Sequence, residues 1–129
     1  MNLPPDTLWF PEANAGEIVA VGGDLSVERL LLAYRSGIFP WSASPITWWS
    51  PDPRAIFELD QFHIPARLAK TLRTGRFTFT RDRAFREVIT ACAECPRDES
   101  TWIEPEFIAA YTRLYEAGHT HSVECWQDG

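Results

Sequence analysis

Seven of the chain's ten prolines (Pro4, Pro5, Pro11, Pro40, Pro45, Pro51 and Pro53) fall within its first 53 residues. Each fixes its own φ, withholds a backbone donor, and biases the preceding residue away from helical geometry. This part of the chain should therefore be loop-rich and extended, with few long helices. It also carries Tyr34, Phe39, Trp41, Trp48 and Trp49, large flat side chains that either fill a small core or line a pocket. Composition alone favours the core. At 129 residues and 45% hydrophobic content, the chain suits one ordinary domain, or a small domain and an incomplete one.

Residues 1–24 read as irregular or short extended structure, with Ile18 to Val21 an apolar run ended by Gly22-Gly23. A helix should then run to about Ser36. Ser26 stands as its N-cap, Glu28 in its first turn, Leu25 and Leu30 as a hydrophobic staple, and Gly37 as its stop. Gly37 to Trp41 reads as a stiff aromatic loop, Ile46 to Trp49 as a strand, and Ala55 to Leu59 as a further extended run beyond the Pro51-Asp52-Pro53 break. That break suggests a boundary between residues 1–54 and 55–129.

The second part opens with a helix over about Pro65–Thr74, and Phe77 to Thr80 alternates as a strand. Asp82 is placed to cap a helix in which Phe85, Val88, Ile89 and Cys92 form a buried stripe. Pro105 opens another helix, with Phe107, Ile108, Tyr111, Leu114 and Tyr115 as its apolar face and Gly118 as its stop. His119 to Trp126 alternates again. Mixed helices and strands place the class as α+β or α/β. The final Gln127-Asp128-Gly129 suits a tight turn with no strand to follow, which suggests a chain that continues, unless it is a frayed tail.

The net charge of −6 argues against a chain that coats nucleic acid over its whole surface. The distribution is more specific. Between residues 61 and 86 stand Arg67, Lys70, Arg73, Arg76, Arg81, Arg83 and Arg86 against one acid, Asp82. This stripe is either a local contact for a phosphate backbone or a solvated helix face. Three cysteines are an odd number, no basic-then-apolar leader opens the chain, and no apolar run approaches the roughly 20 residues of a membrane helix. A reducing cytoplasm with free thiols is the simplest reading.

Cys92 and Cys95, with His119, His121 and Cys125, have the residue types of a zinc site, but without a second Cys-x-x-Cys they read as buried or incidental thiols. Gly22-Gly23-Asp24 is a turn before a capped helix, with neither the nucleotide nor the dinucleotide fingerprint. No Gly-x-Ser-x-Gly nucleophile exists. His119 and His121 have the chemistry of an acid and a base, or of satisfied structural histidines.

Several segments, in their order and spacing, resemble one family. They are Val21-Gly22-Gly23-Asp24-Leu25-Ser26, Arg35-Ser36-Gly37-Ile38-Phe39-Pro40-Trp41, Trp48-Trp49-Ser50-Pro51-Asp52-Pro53-Arg54-Ala55, Thr101-Trp102-Ile103 and Gly118-His119-Thr120-His121-Ser122-Val123-Glu124. The family is the leucyl/phenylalanyl-tRNA–protein transferases, and the run from Gly37 to Ala55 is its most specific signature. The resemblance implies a bacterial cytoplasmic enzyme that moves Leu or Phe from aminoacyl-tRNA onto proteins with N-terminal Arg or Lys, marking them for N-end rule degradation. It implies an α+β chain: a small proline-rich N-terminal domain, then the start of an acetyltransferase-like (GNAT-type) domain, apparently truncated. No metal or nucleotide cofactor is expected.

By the same resemblance, Trp41 and Trp102, with Tyr34 beside them, would hold the aminoacyl-adenosine end, since an adenine can stack on an indole. Arg67, Lys70, Arg73 and Arg76 would contact the tRNA backbone. The family's catalytic groups, including an Asp-Cys-Gln stretch, would lie beyond residue 129, so catalysis by this chain alone is in question. The rival readings are a non-catalytic RNA- or peptide-binding module and a small zinc-binding module.

Overall fold

A proline cannot donate to a sheet, so strands in a proline-rich segment are short and their prolines sit at an edge. The computed structural model, which describes residues 1–11, 17–94 and 101–127, shows that arrangement. The N-terminal sheet contains β1 (Asn2–Leu3), β2 (Glu17–Gly22), β3 (Phe39–Ala43) and β4 (Ile46–Ser50) in the order β1-β2-β4-β3. Pro40 lies in β3, an edge strand, opposite Trp48. The segment expected as an aromatic loop is therefore a strand, because an edge position tolerates the missing N–H.

Register sorts this sheet into two faces. Ala20, Trp48 and Pro40 stand side by side across three strands and are all buried. Ile18, Trp49 and Phe39 stand side by side on the opposite face and keep some exposure. Helix α1 (Val27–Arg35) packs against the inner face through Leu30 and Ala33. Its start matches expectation: the Ser26 hydroxyl accepts from the Arg29 N–H at 3.3 Å. Gly37 follows at φ +71, a left-handed turn that a side chain would strain.

Arg29 is almost fully buried and donates to the Pro4 and Pro5 carbonyls and to Asp24. It thereby ties the extended N-terminus to α1. The indole N–H of Trp48, on the inner face, donates to the Gly22 carbonyl at 2.9 Å.

The rest of the described chain holds α2 (Ala66–Arg73), β5 (Phe77–Arg81), α3 (Phe85–Glu94), α4 (Pro105–Glu116) and β6 (Val123–Gln127). Strands β5 and β6 pair antiparallel as a separate two-stranded sheet. Helix α4 joins the two regions, because its Ala110 and Leu114 sit in the same core cluster as Trp48 and Leu30. Four helices and two small sheets make a mixed α+β architecture.

Two local expectations are corrected. Asp82 does not cap α3. It adopts a left-handed φ of +60, and its Oδ1 accepts from the Ser122 N–H at 3.1 Å instead. The N–H of Ala84 at the start of α3 is taken by Glu124 Oε1 at 3.2 Å, across the chain from β6. The stripe Phe85, Val88, Ile89, Cys92 is buried only at Phe85, and Cys92 is exposed. The other residues line an open pocket. Cys95 and the Asp128-Gly129 turn lie outside the described residues.

Candidate functional site

An indole on a sheet can end inside or outside, and register decides which. Trp48 ends inside, fully buried against the Phe10 ring at 4.8 Å, so it belongs to the core and not to a pocket. Trp41 ends outside. The pairing steps from Pro40–Trp48 to Ser42–Thr47, which leaves Trp41 as the extra residue of a β-bulge. Bulges redirect side chains and often stand beside sites. Here the ring rests between Phe39 at 5.6 Å and Trp49 at 5.4 Å and remains 46% exposed, an open stacking platform.

A second chain of rings starts from α1. The Tyr34 and Tyr111 hydroxyls hydrogen-bond each other, linking α1 to α4. Tyr111 packs on Phe107 at 6.3 Å, and Phe107 meets Trp102 edge-on at 5.4 Å. Burial raises the Tyr34 phenol above its usual value, opposed by the Tyr111 hydroxyl and the Arg54 cation. Burial raises Tyr111 as well, assisted by Tyr34. Both therefore stay neutral near pH 7. Because one hydroxyl of the pair donates to the other, one O–H is left to donate to a third group.

Trp102 is half exposed and forms one wall of a pocket of about 220 Å³. The other walls are Phe85, Val88 and Ile89 of α3, Phe107 and Tyr111 of α4, and residues 120–122. The lining is almost wholly apolar apart from its rim. An apolar cavity of about 150 Å³ suffices for a benzene-sized guest, so this one accommodates a single aliphatic or aromatic side chain.

The rim is polar, formed by Thr120, His121 and Ser122. Asp82 is pinned by its N–H to the Ser122 carbonyl, by its carbonyl to the Tyr115 hydroxyl, and by its carboxylate to Ser122 N–H, Arg81 and His121. His121 Nδ1 lies 2.8 Å from Asp82 Oδ2, and the ring lines the pocket. Burial acts to raise the Asp82 carboxyl, but its bonds to His121, Arg81 and the Ser122 N–H hold it below the usual carboxylate range. His119 does not line this pocket.

Helix α2 presents Arg67, Lys70 and Arg73 with no acidic residue in its first turn. Among the described residues none of the three forms an ion pair. Arg76, just beyond, packs its guanidinium over Phe77 at 5.6 Å. The apolar side of α2, Leu68 and Leu72, lines a separate groove with Ile64, Phe77 and Phe79. Thus the structure joins Tyr34 to Trp102 through two rings and ties the strand of Trp41 to the Trp102 segment through the Ala43–Glu104 bond, while the basic helix stands in surroundings of its own. Among the described residues no three His, Cys, Asp or Glu side chains gather as they would around a metal ion, and no helix is long and apolar enough to cross a membrane.

The family model for leucyl/phenylalanyl-tRNA protein transferase matches residues 56–129, and that for the enzyme's N-terminal domain matches residues 23–52. The chain belongs to the leucyl/phenylalanyl-tRNA–protein transferases. A relative of that name from Nitratidesulfovibrio vulgaris is 50% identical over 134 residues, covering 98% of this chain and 57% of the relative. One from Solidesulfovibrio magneticus is 55% identical over 121 residues, covering 91% and 49%. One from Desulfatibacillum aliphaticivorans is 53% identical over 131 residues, covering 96% and 56%. The chain spans about half the length of the curated relatives it matches.

Within a transferase of this family, the Asp82 clamp and the Glu124 cap are what sequence reasoning misses. The first depends on His121, 39 residues away, and the second on Ala84, 40 residues away.

Proposed function

We propose that this chain takes part in aminoacyl transfer of Leu or Phe from charged tRNA to the N-terminal Arg or Lys of acceptor proteins, a cytoplasmic N-end rule reaction. The observation that carries the reading is the apolar pocket walled by Trp102 and rimmed by polar groups, of a size for one leucyl or phenyl side chain. Such a pocket selects by hydration: a polar side chain would lose its water there without a partner.

The aminoacyl ester is already activated. The protein must hold ester and amine together, which supplies much of the rate, and manage one proton. Trp41 offers the adenine a stacking face. Arg67, Lys70, Arg73 and Arg76 offer the acceptor stem sequence-independent phosphate contacts. Residues 1–54 serve as the aromatic N-terminal domain, and 55–129 as the opening of an acetyltransferase-type domain.

The test is incubation of the protein with leucyl-tRNA and an arginine-starting peptide, read by mass spectrometry. A peptide extended by one leucine supports the reading. Binding of charged tRNA without extension favours the non-catalytic RNA-binding reading, which the exposed cations of α2 also support. Absence of both binding and product overturns the proposal.

A further inference from the structure

An arginine beside a base-stacking ring has two uses: it satisfies a structural carbonyl, or it holds a phosphate. Arg54 does the first with a fraction of its capacity. Its Nη1 donates to the Gly37 carbonyl at 2.9 Å, just past the end of α1. The Ser50 hydroxyl donates to the same oxygen at 3.2 Å, so that carbonyl already has a second, neutral partner. A guanidinium carries five N–H donors. Among the described residues Arg54 makes no other hydrogen bond and no ion pair, and it is exposed.

The remaining donors are held in one place. The guanidinium lies over the Phe39 ring, 5.3 Å from its centroid, a favourable seat for a cation. Phe39 is in turn the neighbour of Trp41, ring to ring at 5.6 Å. On the other side stands Tyr34: burial raises its phenol, and the Arg54 cation is near enough to oppose the rise. Arg54 therefore stands between the Trp41 platform and the Tyr34–Tyr111 pair that leads through Phe107 to Trp102.

We propose that Arg54 binds the 5′-phosphate of the terminal adenosine of aminoacyl-tRNA while the base of that adenosine stacks on Trp41. This rests on the aminoacyl-transfer reading. In a nucleotide the phosphate lies one sugar away from the base, and Arg54 lies one ring away from Trp41. A planar fork engages two phosphate oxygens at once, which a point charge does not. The exposed cations of α2 then serve the stem, and Arg54 fixes the end. With base and phosphate both held, the ester they carry has a defined position, the condition for transfer between two bound substrates.

The experiment titrates the protein with puromycin, an aminoacyl-adenosine mimic, and with puromycin 5′-phosphate, read by tryptophan fluorescence. The phosphorylated probe should bind about tenfold more tightly, the scale of one exposed charge-assisted contact, and salt at about 0.5 M should remove most of that preference. Arg54→Gln should bind the two probes alike. Arg54→Lys should keep part of the preference, as a charge without the fork. Loss of a merely structural arginine would weaken both probes in proportion and preserve their ratio. Adenosine 5′-monophosphate, which has the phosphate but no aminoacyl group, should bind more weakly than puromycin 5′-phosphate.

Equal binding of the two puromycins by the unaltered protein overturns the assignment of Arg54 and leaves the transferase reading standing. A phosphate preference that survives in Arg54→Gln does the same. If Arg54→Gln does not fold, Arg54→Lys decides by the same comparison, and a preference equal to that of the unaltered protein overturns the assignment. Equal affinity for adenosine 5′-monophosphate and puromycin 5′-phosphate overturns the aminoacylated terminus as the ligand. No binding of either puromycin overturns the transferase reading, and the inference with it.

Discussion

The backbone N–H of Ala43 donates to Oε1 of Glu104 at 3.0 Å, so the residue at the N-cap of α4 is bonded to the strand that carries Trp41. The Glu104 side chain makes no capping bond to its own helix. This contact links the two segments that hold Trp41 and Trp102, two residues from each. Glu104→Ala should therefore lower stability by about 1 kcal/mol, typical of one net hydrogen bond, and weaken puromycin binding. Glu104→Gln, which keeps the acceptor, should lose less of both. Urea denaturation and fluorescence titration measure the two effects.

Trp48→Phe removes the donor to the Gly22 carbonyl and part of a fully buried ring. One net hydrogen bond is worth about 0.5–1.5 kcal/mol, and the cavity adds to its loss. The urea midpoint should fall accordingly. A midpoint equal to the unaltered protein's would show that the indole is not part of the core.

Stability should fall in acid through three carboxylates. Burial acts to raise Asp24 and Asp82, but hydrogen bonds outweigh it, from Ser26 and Arg29 for Asp24 and from His121 and Arg81 for Asp82. The Ser122 and Thr80 hydroxyls lower Glu124 against its burial. With folded values below unfolded ones, the unfolded chain binds more protons in the window between them, so stability rises with pH there. The contribution is complete above the unfolded values of about 3.9 and 4.3, and is lost as pH falls through the lowered folded values. Urea midpoints from about pH 6 downward should show the decline, and Glu124→Gln should flatten it.

Charge reversal at Arg67 and Lys70 should weaken tRNA binding at every sequence and reduce the slope of log affinity against log salt by about one to two, as expected for two lost phosphate contacts. The basic face of α2 is exposed throughout, so the circular dichroism spectrum should not change. An unaltered salt slope would remove α2 from the RNA interface.

Trp41→Ala should raise KM for leucyl- and phenylalanyl-tRNA about tenfold to a hundredfold, the range of one lost base-stacking contact, at unchanged thermal stability. The half-exposed ring on its bulge contributes little to the core. Unchanged transfer kinetics would count against the stacking platform.

Local pattern accounts for much of the fold. Ser26 with Gly37, Pro105 with Gly118, and the alternation of Phe77 to Thr80 mark α1, α4 and β5 within a residue or two of their observed ends. Each of these signals acts over a few residues: a hydroxyl facing free N–H groups, a left-handed glycine, a period of two. β3 escaped that logic because Pro40 opposes a strand in general and is tolerated only at an edge, and edge position belongs to the whole sheet. Asp82 looked like a cap for the same reason. Its left-handed turn and its bond to His121 require β6 to be in place.

The sequence alone determined where most helices and strands would form, that four of the six tryptophans would lie in the first half, and that cations would cluster on one short helix. It could not distinguish Trp41, Trp48 and Trp49, which share one chemistry. Strand pairing turns Trp48 inward to the Gly22 carbonyl, and the bulge at Trp41 leaves that ring facing solvent. Burial is decided by what lies across a sheet and beneath a helix, and those neighbours come from distant parts of the chain.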